Sequence, residues 1–172
     1  LSDGEPEEHR AAIRRVLEGH ASSPGAAMDA TGRVVMTNTT FVALFPGLTR
    51  LSAEELVDAA VGPGPSRNAV VNFAEVAHAH AERLVRHGQI ELAQRAYAHL
   101  GDVPRPPRSW TDPTLTVQLR LGTDTILSLF AVVVRFEHTA DVTLAELWAE
   151  LLFPADEATR SWLETRPAAG TV

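Results

Sequence analysis

Histidine and carboxylate side chains are the groups in this chain best suited to hold a metal or to move a proton. On a helix, His80, Leu84 and His87 would share one face, and His78 and Glu82 would be four residues apart. A protein metal site needs three or four converging ligands, and no second cluster accompanies this one. The spacing therefore favours ordinary core and surface histidines, and we expect no metal site.

Other catalytic groups are missing or have a simpler structural role. The chain has no cysteine, and all 15 of its basic residues are arginines, which excludes a thiolate nucleophile, a Schiff-base lysine and a phosphate-loop lysine. No nucleophile-elbow sequence is present, and Gly62 and Gly64 alternate with prolines, which lack the N–H that a phosphate needs. Asp156, Glu157 and Glu150 could pair as carboxylates, but Asp156 is better placed to cap a helix. We expect no catalytic residues, no cofactor and no enzymatic activity.

Charge and hydropathy limit the partners of the chain. The net charge of −7 and the aromatic content of 6% argue against direct binding of nucleic acid. The longest apolar stretch, 126–134, is far too short to span a membrane, and the polar N-terminal sequence does not resemble a signal peptide. The sequence predicts a soluble, cytoplasmic protein.

The pattern of apolar residues predicts an α+β fold. Helices are predicted at 5–19, 38–45, 52–60, 70–86, 89–100 and 156–164. Ser52 and Glu55 have the spacing of a capping box at the start of the third. The segments 25–29 and 33–37 form a predicted hairpin, 61–67 a loop, and 101–113 an extended connector. The alternation in 115–121 predicts a half-buried strand, and 125–136 is apolar on both faces, as in a central strand. The segment 143–153 fits both a helical and a strand period.

Register in the second hairpin decides which strand residues reach the core. A two-residue turn at Thr123 and Asp124 would pair Leu121 with Ile126 and place the even-numbered residues of 126–136 in the core. The odd-numbered apolar residues would then form an outer face. The helix 5–19 carries a narrow apolar stripe that could cover this face, and we predict a homodimer around that contact.

Several stretches of the chain resemble the C-terminal ligand-binding domain of MmyB-like regulators, which are actinobacterial XRE-type helix-turn-helix transcription factors. The most specific is DVTLAEL at 141–147 followed by FPADEAT at 153–159. Weaker matches lie at 16–20, 28–29, 34–38, 71–77, 119–122 and 127–128. The chain departs from the family pattern at Phe73, where tryptophan is usual, and at 59–63.

The resemblance implies a PAS-like fold with 145–153 as the last sheet strand. The sheet would then comprise 25–29, 33–37, 115–121, 125–136 and 145–153, with several helices packed on one face and an N-terminal helix. It also implies an apolar ligand such as a fatty acid, and regulation of transcription through an N-terminal DNA-binding domain that is absent from this chain. We divide the chain into a linker helix at 1–20, a PAS-like domain at 21–166 and a loose tail at 167–172.

A cavity between sheet and helices would hold the ligand, although an ordinary core explains the same pattern equally well. The predicted ligand-binding residues, with Ser128 and His80 as polar anchors, are Phe41, Phe45, Phe73, Val76, His80, Leu84, Ser128, Phe130, Val132 and Trp148. Two other functions stay open: a small hydrolase that uses the same cavity, and a protein-interaction domain that binds no small molecule.

Overall fold

A computed structural model describes residues 5–107, 115–135 and 147–165. The helices are α1 (Glu5–Gly19), α2 (Thr39–Leu44), α3 (Ala53–Val61), α4 (Pro65–Ala69), α5 (Phe73–Arg86), α6 (Ile90–His99) and α7 (Glu157–Thr165), with a short 3₁₀ turn at Leu48–Arg50. The strands are β1 (Gly25–Met28), β2 (Val34–Thr37), β3 (Thr116–Leu121), β4 (Thr125–Arg135) and β5 (Trp148–Pro154). The predicted ends at 136 and 145–146 and the predicted tail at 167–172 lie outside the described residues.

The five strands form one antiparallel sheet in the order β2-β1-β5-β4-β3. In β5, Leu151 lies opposite Gly25 and Ala149 lies opposite Ala27 of β1, while Ala27 also faces Met36 of β2. This arrangement confirms the predicted α+β class, the antiparallel sheet and the N-terminal helix. It also settles the ambiguous segment, which is a strand where it is described.

Local sequence explains where most helices begin. Ser52 and Glu55 form the predicted capping box of α3, with the Ser52 N–H donating to Glu55 Oε2 at 2.8 Å. Helix α4 was not predicted, because the Gly-Pro run at 62–65 resembles a loop. Pro65 stands in its first turn, where the missing N–H costs nothing. The predicted helix 70–86 begins only at Phe73, because Val70 is extended and bridges to Leu119 of β3 and residues 71–72 form a turn.

The chain divides into two compact units. Unit 1 comprises residues 1–51, 131–153 and 161–172, and unit 2 comprises 52–130 and 154–160.

The core of unit 1 is formed by α1 and the strands β1 and β5. Ile13 and Leu17, each 2% exposed, pack with Ala27, Ala149 and Leu151. The apolar stripe of α1 therefore packs on the sheet within its own chain. Helix α1 was predicted to cover the outer sheet face, which carries the odd-numbered residues of the strand 125–136. It packs instead on the face that carries the even-numbered Val134.

A buried amide ties the loops of unit 1 together. Asn38 caps α2 by accepting from the Phe41 N–H at 2.9 Å, and it also accepts from the Gly25 N–H at 3.1 Å. Its Nδ2 lies 3.3, 3.0 and 2.8 Å from the carbonyl oxygens of Leu17, His20 and Ser23. One side chain thus satisfies backbone groups at the end of α1, in the loop after it and in β1.

The core of unit 2 is made by helices packed on one another. Its buried residues come from α3, α5 and α6 and the residue after α6, namely Val57, Val61, Ala77, Ala81, Leu84, Ala93, Ala96 and Leu100. Four of these eight are alanines, so the helix backbones can approach closely. Every buried member of this cluster lies on or next to a helix, and the helices pack near the sheet, as predicted.

The register of the β3–β4 hairpin differs from the predicted one by one residue. Leu121 lies opposite Thr125, so the loop has three residues, and Gly122 adopts a φ of 65° in it. A one-residue shift moves every side chain to the other face. Leu127 and Leu129, predicted to lie on the outer face, are 0% and 1% exposed, whereas Ile126 is 47% exposed. The prediction of the core face was therefore wrong in this part of β4.

Candidate functional site

Helix α5 presents two different faces within unit 2. Ala77, Ala81 and Leu84 are buried in the helical core. Glu75, His78, Ala79 and Glu82 follow the i, i+3, i+4, i+7 spacing of a second face. This second face carries two carboxylates and an imidazole and forms one wall of a pocket.

The pocket has a volume of about 700 Å³ and lies entirely within unit 2. Its floor is one face of the β3–β4 hairpin. In the observed register the polar residues Gln118 and Ser128 lie opposite each other on this face. The lining residues are Asn72, Glu75, His78, Ala79, Glu82, Arg105, Pro106, Pro107, Leu115, Thr116, Gln118, Ser128, Ala155 and Asp156. Polar side chains thus form the floor and much of the wall, and small apolar residues and prolines form the rest.

Two of the three carboxylates in the pocket lie on α5 and have different partners. Glu82 Oε1 accepts from Arg105 at 2.5 Å, an ion pair across the pocket wall. Glu75 Oε2 accepts from the neutral amide of Asn72 at 3.2 Å. The guanidinium of Arg105 offsets the charge of Glu82, whereas the partner of Glu75 is a neutral amide.

Asp156, the third carboxylate, caps α7 as predicted from sequence. Its Oδ1 accepts from the Thr159 N–H at 2.7 Å. Hydrogen bonds from the Thr159 N–H, from the Thr159 side chain and from Ser128 lower the pKa of Asp156. The carboxylate is therefore ionised at neutral pH.

Ser128 is connected to the same segment through its backbone. Its N–H donates to the Thr159 hydroxyl at 2.9 Å, and its carbonyl accepts from the Ala155 N–H at 2.8 Å. Thr159 is fully buried. The floor of the pocket and the start of α7 are thus held together by backbone hydrogen bonds.

Asn72 connects the pocket wall to the outer edge of β3. Its Nδ2 donates to the Thr116 carbonyl at 2.7 Å, and its Oδ1 accepts from the Gln118 N–H at 3.0 Å. The Val71 N–H donates to the Gln118 carbonyl at 2.8 Å. The side-chain amide of Asn72 therefore pairs with β3 as the backbone of a further strand would.

A separate polar cluster joins α3 to α6. Asp58 accepts from Arg95 at 2.6 Å and lies 2.8 Å from His99 Nε2. The hydrogen bonds from Arg95 and then His99 lower the pKa of Asp58 to about 2. The cluster therefore links helix α3 to helix α6.

Of the ten predicted ligand-binding residues, one lines this pocket, and that is Ser128. In unit 2, Leu84 is part of the helical core and Phe73 packs against it, while Val76, His80 and Phe130 are half-buried beyond the lining. His80 Nδ1 lies 3.2 Å from Arg83 Nη2. These positions test no ligand contact, so the ten residues stay a prediction.

Four predicted residues belong to unit 1. Phe41 is buried and contacts Phe45, with ring centroids 5.0 Å apart. Trp148 is buried, and Val132 is 40% exposed. The pocket of unit 2 therefore contains none of these four.

Most polar residues of the pocket were not predicted as ligand-binding residues, because the prediction assumed an apolar cavity. Glu75, His78 and Glu82 had a recognisable signal. His78 and Glu82 follow Glu75 by three and seven residues, so the three side chains form a polar stripe on a helix whose other face is apolar. The alternation that predicted β3 also placed Thr116 and Gln118 together on one face. What the sequence did not reveal is that these two polar faces meet.

Within residues 5–107, 115–135 and 147–165, no group of three histidine, aspartate or glutamate side chains is arranged to hold a metal ion. None of the helices in those ranges is long and apolar enough to cross a membrane.

Comparison with known families gives a match over most of the chain. The model described as "MmyB-like transcription regulator ligand binding domain" matches residues 9–165. No curated protein and no solved structure shows significant similarity to the chain.

Proposed function

We propose a sensing function for this chain on the premise that it belongs to the MmyB-like transcription regulator ligand-binding-domain family. The chain is thus the ligand-binding domain of a transcription regulator. In the proposed function it binds a small molecule in the pocket of unit 2 and performs no catalysis. The observation that carries the proposal is that pocket of about 700 Å³, a volume typical of sites for small molecules.

The link from pocket to regulator is proposed to run through α7. Ser128 and Asp156 both line the pocket, and Asp156 caps α7. A ligand that hydrogen-bonds to either residue would compete with the bonds that fix the first turn of α7. The start of this helix is therefore the proposed element whose position reports occupancy.

DNA binding is proposed for an N-terminal helix-turn-helix domain of the XRE type in the longer protein. The net charge of −7 supports this division of labour, because a surface that holds DNA needs an excess of basic residues. The cytoplasmic location, the actinobacterial origin and the homodimer predicted from the sequence belong to the same proposal. A dimer would match a palindromic operator.

The ligand predicted from the resemblance is apolar and fatty-acid-like. Ala79, Pro106, Pro107 and Leu115 supply an apolar wall that supports this candidate within the pocket.

The hydrolase alternative has one observation in its favour, since a serine, a histidine and an aspartate, Ser128, His78 and Asp156, line the same pocket. A catalytic triad places the histidine between the serine and the aspartate. Here Ser128 hydrogen-bonds to Asp156 directly, and His78 Nε2 lies 3.2 Å from the Val103 carbonyl. We expect the unmodified chain to hydrolyse nitrophenyl esters no faster than the Ser128→Ala variant does. Faster hydrolysis by the unmodified chain would favour the enzyme.

Native mass spectrometry tests the proposed function without choosing a ligand. The 172-residue chain, purified gently from cell extract of its own host, should retain a small-molecule adduct. Ala79→Trp places a large ring in the pocket and should remove the adduct, whereas Ala98→Trp, on an exposed position of α6, should keep it. Ala155→Trp fills the pocket from another side if Ala79→Trp does not fold. An adduct that survives both pocket variants, or no adduct on the unmodified chain, contradicts the proposal.

A further inference from the structure

Part of the wall of the pocket in unit 2 belongs to no helix or strand. Residues 104–107, which we call the strap, come after the end of α6 and contribute Arg105, Pro106 and Pro107 to the lining. Three of the four strap residues are prolines, which have no backbone N–H to donate and whose φ is fixed. The strap is therefore stiff, but backbone donors do not hold it in place as they hold a sheet strand.

The two residues before the strap are attached to the helices of unit 2. The carboxylate of Asp102 accepts from Arg67 Nη1 at 3.0 Å and from Arg67 Nη2 at 3.2 Å. Val103 packs against the helical core, and its N–H donates to the Leu100 carbonyl at 3.0 Å. The carbonyl oxygen of Val103 lies 3.2 Å from His78 Nε2 of α5. The strap thus starts from a fixed point beside α5.

Beyond this point the strap contacts α5 through an ion pair, which we call the latch. Arg105 Nη2 donates to Glu82 Oε1 at 2.5 Å, and both residues line the pocket. The two side chains are 56% and 32% exposed. An exposed ion pair contributes little to stability and is screened by salt. The latch is therefore a weak and reversible contact at the wall of the pocket.

We propose that the strap is a movable wall of the pocket and that release of the latch between Arg105 and Glu82 admits the small molecule. Because the prolines make the strap stiff, it swings as one piece about Asp102 and Val103, whose contacts stay in place. The inference rests on the proposed function, because it gives the way into the same pocket.

Thiol labelling measures access to the pocket directly, because the chain has no cysteine of its own. Ala79→Cys places a thiol in the lining on α5, and Ala98→Cys places one at an exposed position of α6. Each thiol is labelled with two uncharged reagents, ethylmaleimide and the much larger pyrenylmaleimide. The ratio of the pyrenylmaleimide rate to the ethylmaleimide rate cancels differences in thiol reactivity. This ratio should be several-fold lower at position 79 than at position 98.

Variants of the latch should ease the entry of the large reagent. Glu82→Gln in the Ala79→Cys chain removes a charge at nearly constant size, so the rate ratio should rise about threefold, as expected for loss of an exposed ion pair. Added sodium chloride should raise the ratio in the chain with the latch but not in the Glu82→Gln chain. Glu82→Arg combined with Arg105→Glu reverses the pair and should restore the low ratio. Glu91→Gln, at an exposed glutamate of α6 outside the lining, is the matched control and should change nothing.

Three results would overturn the inference. Equal rate ratios at positions 79 and 98 would show that the strap does not restrict entry. A low ratio that Glu82→Gln and salt both leave unchanged would show that the latch does not control entry. A reversed pair that behaves like Glu82→Gln would show that the contact with Arg105 is not what matters. If Ala79→Cys does not fold, Ala155→Cys gives the same comparison from a lining position outside α5.

The labelling experiment needs no ligand, so its outcome is separate from that of the proposed function. The adduct seen or not seen by native mass spectrometry judges the proposed function. An adduct retained by the unmodified chain should dissociate faster from the Glu82→Gln chain on dilution. Equal dissociation rates would contradict the role of the latch and leave the pocket as the proposed binding site.

Discussion

Asn38 is a single buried side chain on which three backbone segments of unit 1 depend. Asn38→Asp keeps the acceptor oxygen but turns the donor, which faces the carbonyls of Leu17, His20 and Ser23, into a second oxygen. Because buried carbonyls would then lose their donor and face a negative charge, we expect the free energy of unfolding to fall by about 2–4 kcal/mol. Urea denaturation followed by circular dichroism measures this change.

Asn68→Asp is the control for this substitution, because Asn68 is exposed on α4. It should change the free energy of unfolding by less than about 0.5 kcal/mol. An Asn38→Asp variant as stable as the Asn68→Asp variant would show that the hydrogen bonds of Asn38 contribute nothing.

At this scale the sequence is informative where a residue acts locally. Asp156 and Ser52 were predicted as helix caps, and both are, because a cap bonds to a backbone N–H three residues on. Asn72 was not predicted to hold β3, because its partners, at 116 and 118, are remote in sequence. The predicted ligand-binding residues share this limit, since a one-residue error in hairpin register exchanges one strand face for the other.

Helices α3 and α6 are joined by the cluster of Asp58, Arg95 and His99, and this contact should make stability depend on pH. The pKa of Asp58 is about 2 in the folded chain and lies near 3.8 in the unfolded chain. A carboxylate whose pKa is lowered by folding stabilises the fold fully above its unfolded pKa, and the contribution disappears as pH falls through the folded pKa. We expect the contribution of Asp58 to be constant at pH 5 to 7 and to be lost between about pH 4 and pH 2.

Asp58→Asn should be less stable than the unmodified chain at neutral pH, and the difference should shrink below about pH 4. Thermal unfolding at a series of pH values measures it. Asp29→Asn serves as a control, because Asp29 bonds within its own turn and to no arginine or histidine side chain in the residues described. A stability difference that persists unchanged at pH 2 would contradict the assignment.

Whole elements were predictable when the residues that define them are close in sequence. The hairpin β1–β2, the capping box of α3 and the break between α5 and α6, where Gly88 has a φ of 75°, all carry local signals. Helix α4 and the observed start of α5 were not predictable in this way. The first was hidden by a Gly-Pro run, and the second is fixed by pairing with β3.

For the molecule as a whole, the oligomeric state stays a prediction. The apolar stripe of α1 is used within its own chain, on Ala27, Ala149 and Leu151, so a dimer would have to use another surface. Light scattering on the purified chain should give about twice the chain mass of 18.6 kDa if the predicted homodimer forms. A single-chain mass at all accessible concentrations would contradict the dimer.

The side-chain amide of Asn72 has a consequence for how copies of the chain meet one another. β3 is the last strand of the sheet, and an unpaired last strand is a template for strands of other molecules. Asn72→Ala would release the Thr116 carbonyl and the Gln118 N–H, so we expect faster formation of thioflavin-positive fibrils on mild heating than for the control Asn68→Ala. Equal rates would contradict this.

Because Asn72 also lines the pocket, the proposed ligand site and the predicted resistance to fibril formation share one amide. Evolution of a new ligand preference at this position would therefore have to proceed without losing an aggregation gatekeeper.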